Sequence, residues 1–243
     1  MSNRLAQNCK LWVAQFEFGL HLTSIKTAIE CPAKDTTKFN DTGYETRLAG
    51  IPSGSMDLDG YIDFGATDLQ PDDALEGTIF GAANKVATLG HYGGTAGDLA
   101  YLVKVLNGVY GWSMQTGEVI PFKASFHAEE RLLVGHILDV RAITNAGTTY
   151  GTAFEWGAVG AAIPYHGHLH VTYLDCTNVV VKIQSDSNEE FDSPTDRLTF
   201  TTATGVTSER KSGTGAVTDT WWRTAVTVTG GNGDATIAVA IGK

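Results

Sequence analysis

Three histidines at alternate positions are the first residues of this chain whose spacing could support chemistry. His166, His168 and His170 lie in the segment YHGHLHV, and alternate residues of a strand point to the same face. Three imidazoles on one face could bind a metal ion. Such a site would also need a nearby acidic ligand and a distant histidine, but Asp175 falls in a predicted turn and no histidine follows His170. We therefore interpret the three as a polar strand face or a subunit contact, and we predict no metal and no cofactor.

An acidic strand is the second candidate. Asp57, Asp59 and Asp63 alternate with apolar residues, which is the period of a half-buried β-strand. The apolar positions are Met56, Leu58, Ile62 and Phe64. The segment also matches the first half of a calcium-binding loop, but Ala66 occupies the position of the final bidentate glutamate. Gly60, on the apolar side, predicts a bulge or the close approach of another backbone.

Two features of the C-terminal part could bind ligands. The loop 185–193, SDSNEEFDS, gathers carboxylates that could hold Ca²⁺, although such a run is more often a solvated turn. Trp221 and Trp222 could stack on a sugar. Adjacent strand residues point to opposite faces, however, so one of these two rings belongs to the core.

Sequence motifs of nucleophilic, phosphate-binding and zinc-dependent catalysis are absent. The chain has no G-x-S-x-G, no G-x-x-x-x-G-K-[ST] and no H-E-x-x-H. Glu129 and Glu130 are adjacent, so on a strand they cannot act together as acid and base. We therefore predict that the protein is not an enzyme.

Composition indicates a globular, mainly β protein. The 243 residues are 42% hydrophobic and 18% charged, and 28 glycines against 6 prolines favour many short strands. A net charge of −10 argues against a protein that grips nucleic acid, but not against one that nucleic acid must pass. The three cysteines include no C-x-x-C pair, and we expect them to be reduced. The sequence shows no signal peptide and no apolar run of membrane-spanning length, so we expect a soluble product.

Hydrophobic periodicity predicts two β-rich parts and one helix. The first part has strands from residue 12 to residue 142, the first of them at 12–18 with Trp12 and Ala14 on one face. It also has hairpin turns at Asn107-Gly108 and Thr116-Gly117, and an amphipathic helix over 68–83. After a small, polar stretch at 144–151, the sequence predicts the strands of a β-sandwich, at 165–174, 178–184, 198–202, 221–229 and 235–241. The domain prediction is an N-terminal arm at 1–11, a first β domain at 12–143 and a C-terminal β-sandwich at 144–243.

Short segments in a fixed order also carry a family resemblance. They are DTTKF at 35–39, RLAGI at 47–51, the alternating strand 56–63, GEVIPFKASF at 117–126 and GHIL at 135–138. In this order they resemble the major tail (tail tube) proteins of bacteriophages with long, non-contractile tails. VVVKIQSDS at 179–187, WWR at 221–223 and the end of the chain resemble a domain often attached to such proteins.

The resemblance implies a tail-tube-type β-sandwich or barrel with one short flanking helix, and a C-terminal β-sandwich decorating its outside. Copies would form rings, usually hexameric, which stack into a virion tail tube that conducts double-stranded DNA without sequence-specific binding. Partners would be further copies of the chain and the tape-measure, tail-terminator and distal tail proteins. The protein would be made in the host bacterial cytoplasm, without a membrane role. The implied ring-stacking loop contains Asp35, Thr36, Thr37, Phe39, Asp41 and Arg47. The implied acidic lumen or interface strand contains Asp57, Asp59 and Asp63.

Two alternatives stay open at the level of sequence. A hexamer follows if only the first domain builds the tube, whereas a trimer of pseudo-repeated halves follows if the second domain adds lumen strands. The chain could instead be a carbohydrate-binding adhesin or a surface-decoration protein of the virion. That alternative rests on Trp221, Trp222 and the acidic loop 185–194.

Overall fold

The structure is a computed structural model that describes residues 9–19, 21–31, 33–35, 47–49, 53–62 and 71–243. Over these residues the chain is mainly β with antiparallel sheets, which confirms the predicted fold class. The first nine strands are β1 (Lys10–Val13), β2 (Phe16–Glu17), β3 (Leu22–Glu30), β4 (Ala33–Asp35), β5 (Arg47–Ala49), β6 (Ser53–Tyr61), β7 (Lys85–Gly90), β8 (Leu99–Trp112) and β9 (Pro121–Ala128). The remaining strands are β10 (Leu133–Thr144), β11 (Gly147–Tyr150), β12 (Phe154–Glu155), β13 (Tyr165–Asp175), β14 (Asn178–Asp186), β15 (Thr195–Thr199), β16 (Thr207–Gly213), β17 (Trp221–Thr229) and β18 (Asp234–Gly242). No helix in the described ranges is both long and apolar enough to cross a membrane.

Seven strands enclose the first core, in the order β2-β1-β7-β8-β9-β6-β3. The predicted alternation on β6 is confirmed, because Met56 and Leu58 are buried while Asp57 is exposed. Gly60 also has the predicted close approach. A Cβ there would overlap the carbonyl oxygen of His21 and lie 2.6 Å from the ring of Phe122, opposite a bulge in β3.

The segment 12–18, predicted as one strand, is a hairpin. β1 and β2 are joined by a turn in which Ala14 has φ 53°. The prediction placed Trp12 and Ala14 on a single buried face, but both faces of β1 are buried. Leu11 packs into the first core, while Trp12 packs against strands β10 and β18.

The dipeptide Asn107-Gly108 was predicted to be a hairpin turn, and that prediction is wrong. It is a bulge within β8, which runs unbroken for 14 residues. The first half of β8 lies between β7 and β10, and its second half pairs with β9. A bulge increases twist, so one strand can pass from one layer of the sandwich to the other. The turn at Thr116-Gly117 is present, with Gly117 at φ 87°.

One short helix of π type flanks the first core, at Asp73–Ile79, within the range predicted for the helix. Leu75 and Ile79 are completely buried against the strands. The helix ends because Phe80 is extended and Gly81 has φ 68°, a conformation that glycine adopts without strain. Residues 68–70 of the prediction lie outside the described residues.

The C-terminal part is a β-sandwich. One layer has the order β10-β18-β13-β16, and the other has the order β11-β17-β14-β15, with β12 also on β17. A single apolar cluster fills the space between them, with Trp222, Val226 and Ile237 at 0% exposure. The structure adds β11, β12 and β16 to the predicted strands, and β11 lies in the small, polar stretch that we had interpreted as a boundary.

Strand β10 connects the two sandwiches. Its first residues pair with β8, and from Gly135 to its end it pairs with β18. One sheet therefore passes through both sandwiches, with a second small core at the junction around Trp12, Ile137 and Ala240. The domain division at residue 143 stays a prediction; Lys10 and Leu11 of the predicted arm lie in β1, and residues 1–8 lie outside the described residues.

Candidate assembly surface

Asp57 and Asp59 lie on the solvent face of β6, each opposite a lysine. Asp57 is the register partner of Lys26 on β3, and its Oδ1 accepts a 2.6 Å hydrogen bond from Ser125. The Nζ of Lys123 on β9 lies 3.6 Å from Oδ1 of Asp59. These exposed pairs contribute little stability, but they leave the face nearly neutral rather than strongly acidic. Asp63 lies outside the described residues.

The predicted ring-stacking loop begins and ends on a two-stranded ribbon. Asp35 on β4 is the register partner of Arg47 on β5, so the chain leaves and returns at one point of this ribbon. Thr36, Thr37, Phe39 and Asp41 lie outside the described residues.

The strands β3-β6-β9-β8 form a four-stranded sheet, and on each side of it an edge has no partner among the described strands. β3 pairs only with β6 among the described strands. The edge of β8 that faces away from β9 pairs with β7 as far as Val105, and Asn107 forms an isolated bridge with Phe80. From Val109 onward this edge pairs with no described strand. Unpaired N–H and C=O groups along such edges are a ready template for another chain.

Several exposed apolar side chains lie along these two edges. Trp112 is 49% exposed and Met114 67% exposed at the end of β8, and Ile29 on β3 is 65% exposed. Beside β3 lies a groove of about 960 Å³, which separates its open edge from β1 and from the segment after β7. Its walls include Leu22, Ile25, Leu89, Lys10, Glu17 and His91.

Two of the three alternate histidines, His168 and His170, bind residues of the first sandwich, a role that the sequence did not reveal. His170 donates from Nδ1 to the carbonyl oxygen of Ala14 at 2.6 Å, so its Nε2 accepts the 2.8 Å hydrogen bond from the hydroxyl of Thr88. Because that hydroxyl proton is used, Nδ1 of His168 must donate to Thr88 Oγ1 at 3.0 Å. Desolvation by burial lowers the pKa of His170 to about 4 and that of His168 well below its ordinary value.

The third histidine lies at the rim of the same junction. His166 Nδ1 lies 2.7 Å from Ser212 Oγ and 3.1 Å from Nη2 of Arg210. Arg210, on β16 of the C-terminal sandwich, also forms an ion pair with Glu130. Glu130 forms a second ion pair, of 2.9 Å, with Nζ of Lys104 on β8 of the first sandwich. No cluster of three or more histidine, cysteine or acidic side chains within the described ranges could hold a metal ion.

The acidic loop 185–193 is closed by its own hydrogen bonds. Oδ1 of Asp186 accepts the backbone N–H of Ser187 at 2.6 Å, and Oδ2 accepts that of Ser193 at 2.8 Å. Burial alone would raise the pKa of Asp186, but these donors outweigh it and the pKa is lowered. Arg223 fastens the loop to the sheet, because its guanidinium lies 4.1 Å from the ring centres of both Phe191 and Tyr150.

The two adjacent tryptophans point to opposite faces of β17, as predicted. Trp222 is fully buried between the layers, with its ring centre 5.2 Å from that of Trp156 and 5.7 Å from that of Tyr165. Trp221 lies on the outer face and is only partly buried. A sugar platform made of both rings is therefore excluded by their positions.

Comparison with known proteins gives distant structural likenesses. No family model and no curated protein matches the chain. The virion of a native gene transfer agent particle has a chain with 10% identity and a TM-score of 0.41, covering 54% of this chain and 97% of its own. A chain of the anti-feeding prophage baseplate has 9% identity and a TM-score of 0.41, covering 55% and 97% respectively. The Dit protein of phage SPP1 has 10% identity and a TM-score of 0.39, covering 97% and 99%. At these values none of the likenesses assigns a function to this chain.

Proposed function

We propose that the protein is a non-enzymatic structural component of a bacteriophage tail, whose copies join edge to edge into rings that stack as the tail tube. The observation that carries this proposal is the four-stranded sheet β3-β6-β9-β8 with an open edge on each side. Neighbouring strands in it are antiparallel, so β3 and β8 run in opposite directions. The β8 edge of one copy can therefore continue the sheet of the next copy through β3 by antiparallel pairing.

Such a contact joins two different edges, so it is heterologous and generates a closed ring when the rotation per copy divides a full turn. With six copies, roughly 24 strands spaced about 4.8 Å apart would close a barrel roughly 40 Å across. Each copy would hide both of its open edges. The contact uses strands of the first sandwich alone, which is the case in which a hexamer, and not a trimer, is expected.

The solvent face of this sheet would line the channel. Its charged residues on β3, β6 and β9 are Lys26, Glu30, Asp57, Asp59 and Lys123, which leaves one negative charge in excess. A double-stranded genome carries one negative charge per about 1.7 Å, so it would pass a weakly negative wall without the retention that a basic wall causes. The C-terminal sandwich would then lie on the outer surface of the tail tube.

The experiment that tests ring assembly is electron microscopy of the purified full chain over a range of protein and salt concentrations. We expect rings with sixfold symmetry in top view, and tubes at higher concentration. A protein that stays monomeric throughout that range would overturn the proposal.

The loop between β4 and β5 is assigned to ring stacking in this proposal. The paired strands β4 and β5 bring its two ends together, so residues 36–43 can be deleted without separating elements of either sandwich. We expect the deletion variant to form rings but no tubes in the same micrographs, with an unchanged circular dichroism spectrum. Tubes of normal length from this variant would refute the stacking role. The tape-measure, tail-terminator and distal tail proteins remain proposed partners of the finished tube.

A further inference from the structure

The open edges carry apolar side chains on the same side of the sheet. On β8, Trp112 is the register partner of the core residue Phe122, so it belongs to the inward-facing set of its strand. On β3, Ile25 is the partner of the core residue Leu58, and Ile29 shares its parity. In a sheet continued from β8 of one copy to β3 of the next, these side chains would all lie on one face.

The row of the sheet to which Trp112 belongs is also defined within one copy. Leu22 pairs with Gly60, Gly60 pairs with Phe122, and Phe122 pairs with Trp112, so these residues form one row across the sheet. Continuing that row into a neighbouring copy places Trp112 beside Leu22. Leu22 lines the groove next to β3. The apolar part of the groove also contains Ile25, which is half-buried, and Leu89, which is buried.

We propose that Trp112 and Met114 of each copy dock into the groove beside β3 of the next copy, and that Trp112 is the anchor of the ring contact. The proposal rests on the proposed function, because it names the side chains that hold the open edges together. The occupant is a second copy of this chain, since only a strand continuing the sheet satisfies the unpaired backbone and covers the apolar side chains together. Large aromatic side chains that become fully desolvated are the usual anchors of protein interfaces.

Substitution of Trp112 by alanine tests the anchor, with Tyr173→Ala as the matched control. Both side chains are 49% exposed, but Tyr173 lies on β13, away from the sheet edges. By sedimentation velocity, we expect Trp112→Ala to raise the protein concentration needed for ring formation by at least about tenfold, and Tyr173→Ala to leave it unchanged. Thermal unfolding of the monomer verifies that both variants fold.

A pair of cysteines tests the row directly. His21 and Ser113 adjoin Leu22 and Trp112 on opposite edges of the four-stranded sheet, and neither is buried. Antiparallel pairing of Trp112 with Leu22 of the next copy puts Ser113 directly opposite His21 of that copy. Within one copy the two are separated by roughly 14 Å, which is too far for a disulfide. We expect a His21→Cys/Ser113→Cys variant to give a ladder of covalent oligomers under mild oxidation, and each single variant to give none.

The outcomes distinguish this inference from the proposed function. If wild-type rings form and Trp112→Ala forms them at the same concentration, or the double cysteine variant gives no ladder, the anchor is wrong and the ring remains. If the wild type never forms rings, the proposed function fails, and the anchor fails with it. If the anchor is correct, the single alanine substitution disperses rings while the monomer stays folded.

Discussion

Nδ1 of His170 donates a hydrogen bond of 2.6 Å to the carbonyl oxygen of Ala14, which fastens the C-terminal sandwich to the turn of the first hairpin. The residues are 156 positions apart in the chain. The ring of His170 also lies 6.4 Å from that of Trp12, at an angle of 27°, so both a polar and an aromatic contact cross the junction. Desolvation by burial lowers the pKa of His168, and His170, Arg210 and His166 lower it further.

The first prediction concerns acid stability. Since burial lowers the pKa of His170 to about 4 from 6.5, the unfolded state binds this proton first, and stability falls as the pH decreases from about 6.5 to 4. The loss from His170 is on the order of 3 kcal/mol, measured by urea unfolding at several pH values. His170→Gln should show a shallower pH dependence in this window, while His21→Gln should keep the wild-type slope. An equally steep slope for His170→Gln would contradict the assignment.

The second prediction concerns the C-terminal core. Trp222 is fully buried, and its Nε1 donates to the carbonyl oxygen of Gly157 at 3.2 Å. Trp222→Ala should lower the free energy of unfolding by about 3–5 kcal/mol, because it leaves a large cavity. Trp221→Ala, on the outer face, is the control and should cost much less in the same urea titration. Equal losses for the two variants would show that Trp222 does not occupy the core.

The third prediction compares two glycines of the four-stranded sheet. A Cβ at Gly60 would overlap a backbone carbonyl and the Phe122 ring, whereas Gly111 has no atom within 4 Å of its Cβ position. Gly60→Ala should lower the unfolding free energy by about 1–3 kcal/mol, since β3 or the ring must shift. Gly111→Ala should change it by about 0.5 kcal/mol or less. Thermal and urea unfolding measure both, and a neutral Gly60→Ala would argue against the close contact with His21.

The fourth prediction concerns the acidic loop. Arg223 lies between the rings of Tyr150 and Phe191, and each cation–π contact is worth roughly 0.5–1 kcal/mol. Arg223→Ala should therefore increase hydrogen exchange at the backbone amides of Ser187 and Ser193, which donate to Asp186. Lys182→Ala is the control, because Lys182 pairs with Asp196 on the same face without contacting the loop. Unchanged exchange in Arg223→Ala would mean that the hydrogen bonds of Asp186 suffice.

The sequence by itself determined the fold class and the faces of individual strands. The alternation of Met56, Asp57 and Leu58 predicted which side of β6 is buried, because the period of two is a local property of an extended chain. The same rule assigned opposite faces to Trp221 and Trp222. The helix was also predicted from its apolar spacing, although the structure describes a shorter one.

Only the tertiary structure decided which other elements pack against each strand face. Trp12 and Ala14 belong to a hairpin buried on both sides, since a second sheet covers what a single strand would expose. Asn107-Gly108 has turn chemistry but forms a bulge, because β9 pairs with β8 on both sides of it and keeps the chain extended. His168 and His170 meet Thr88 about 80 residues away, and the two open edges belong to strands far apart in sequence. Contacts of this kind depend on the order of strands in a sheet, which local patterns of residues do not encode.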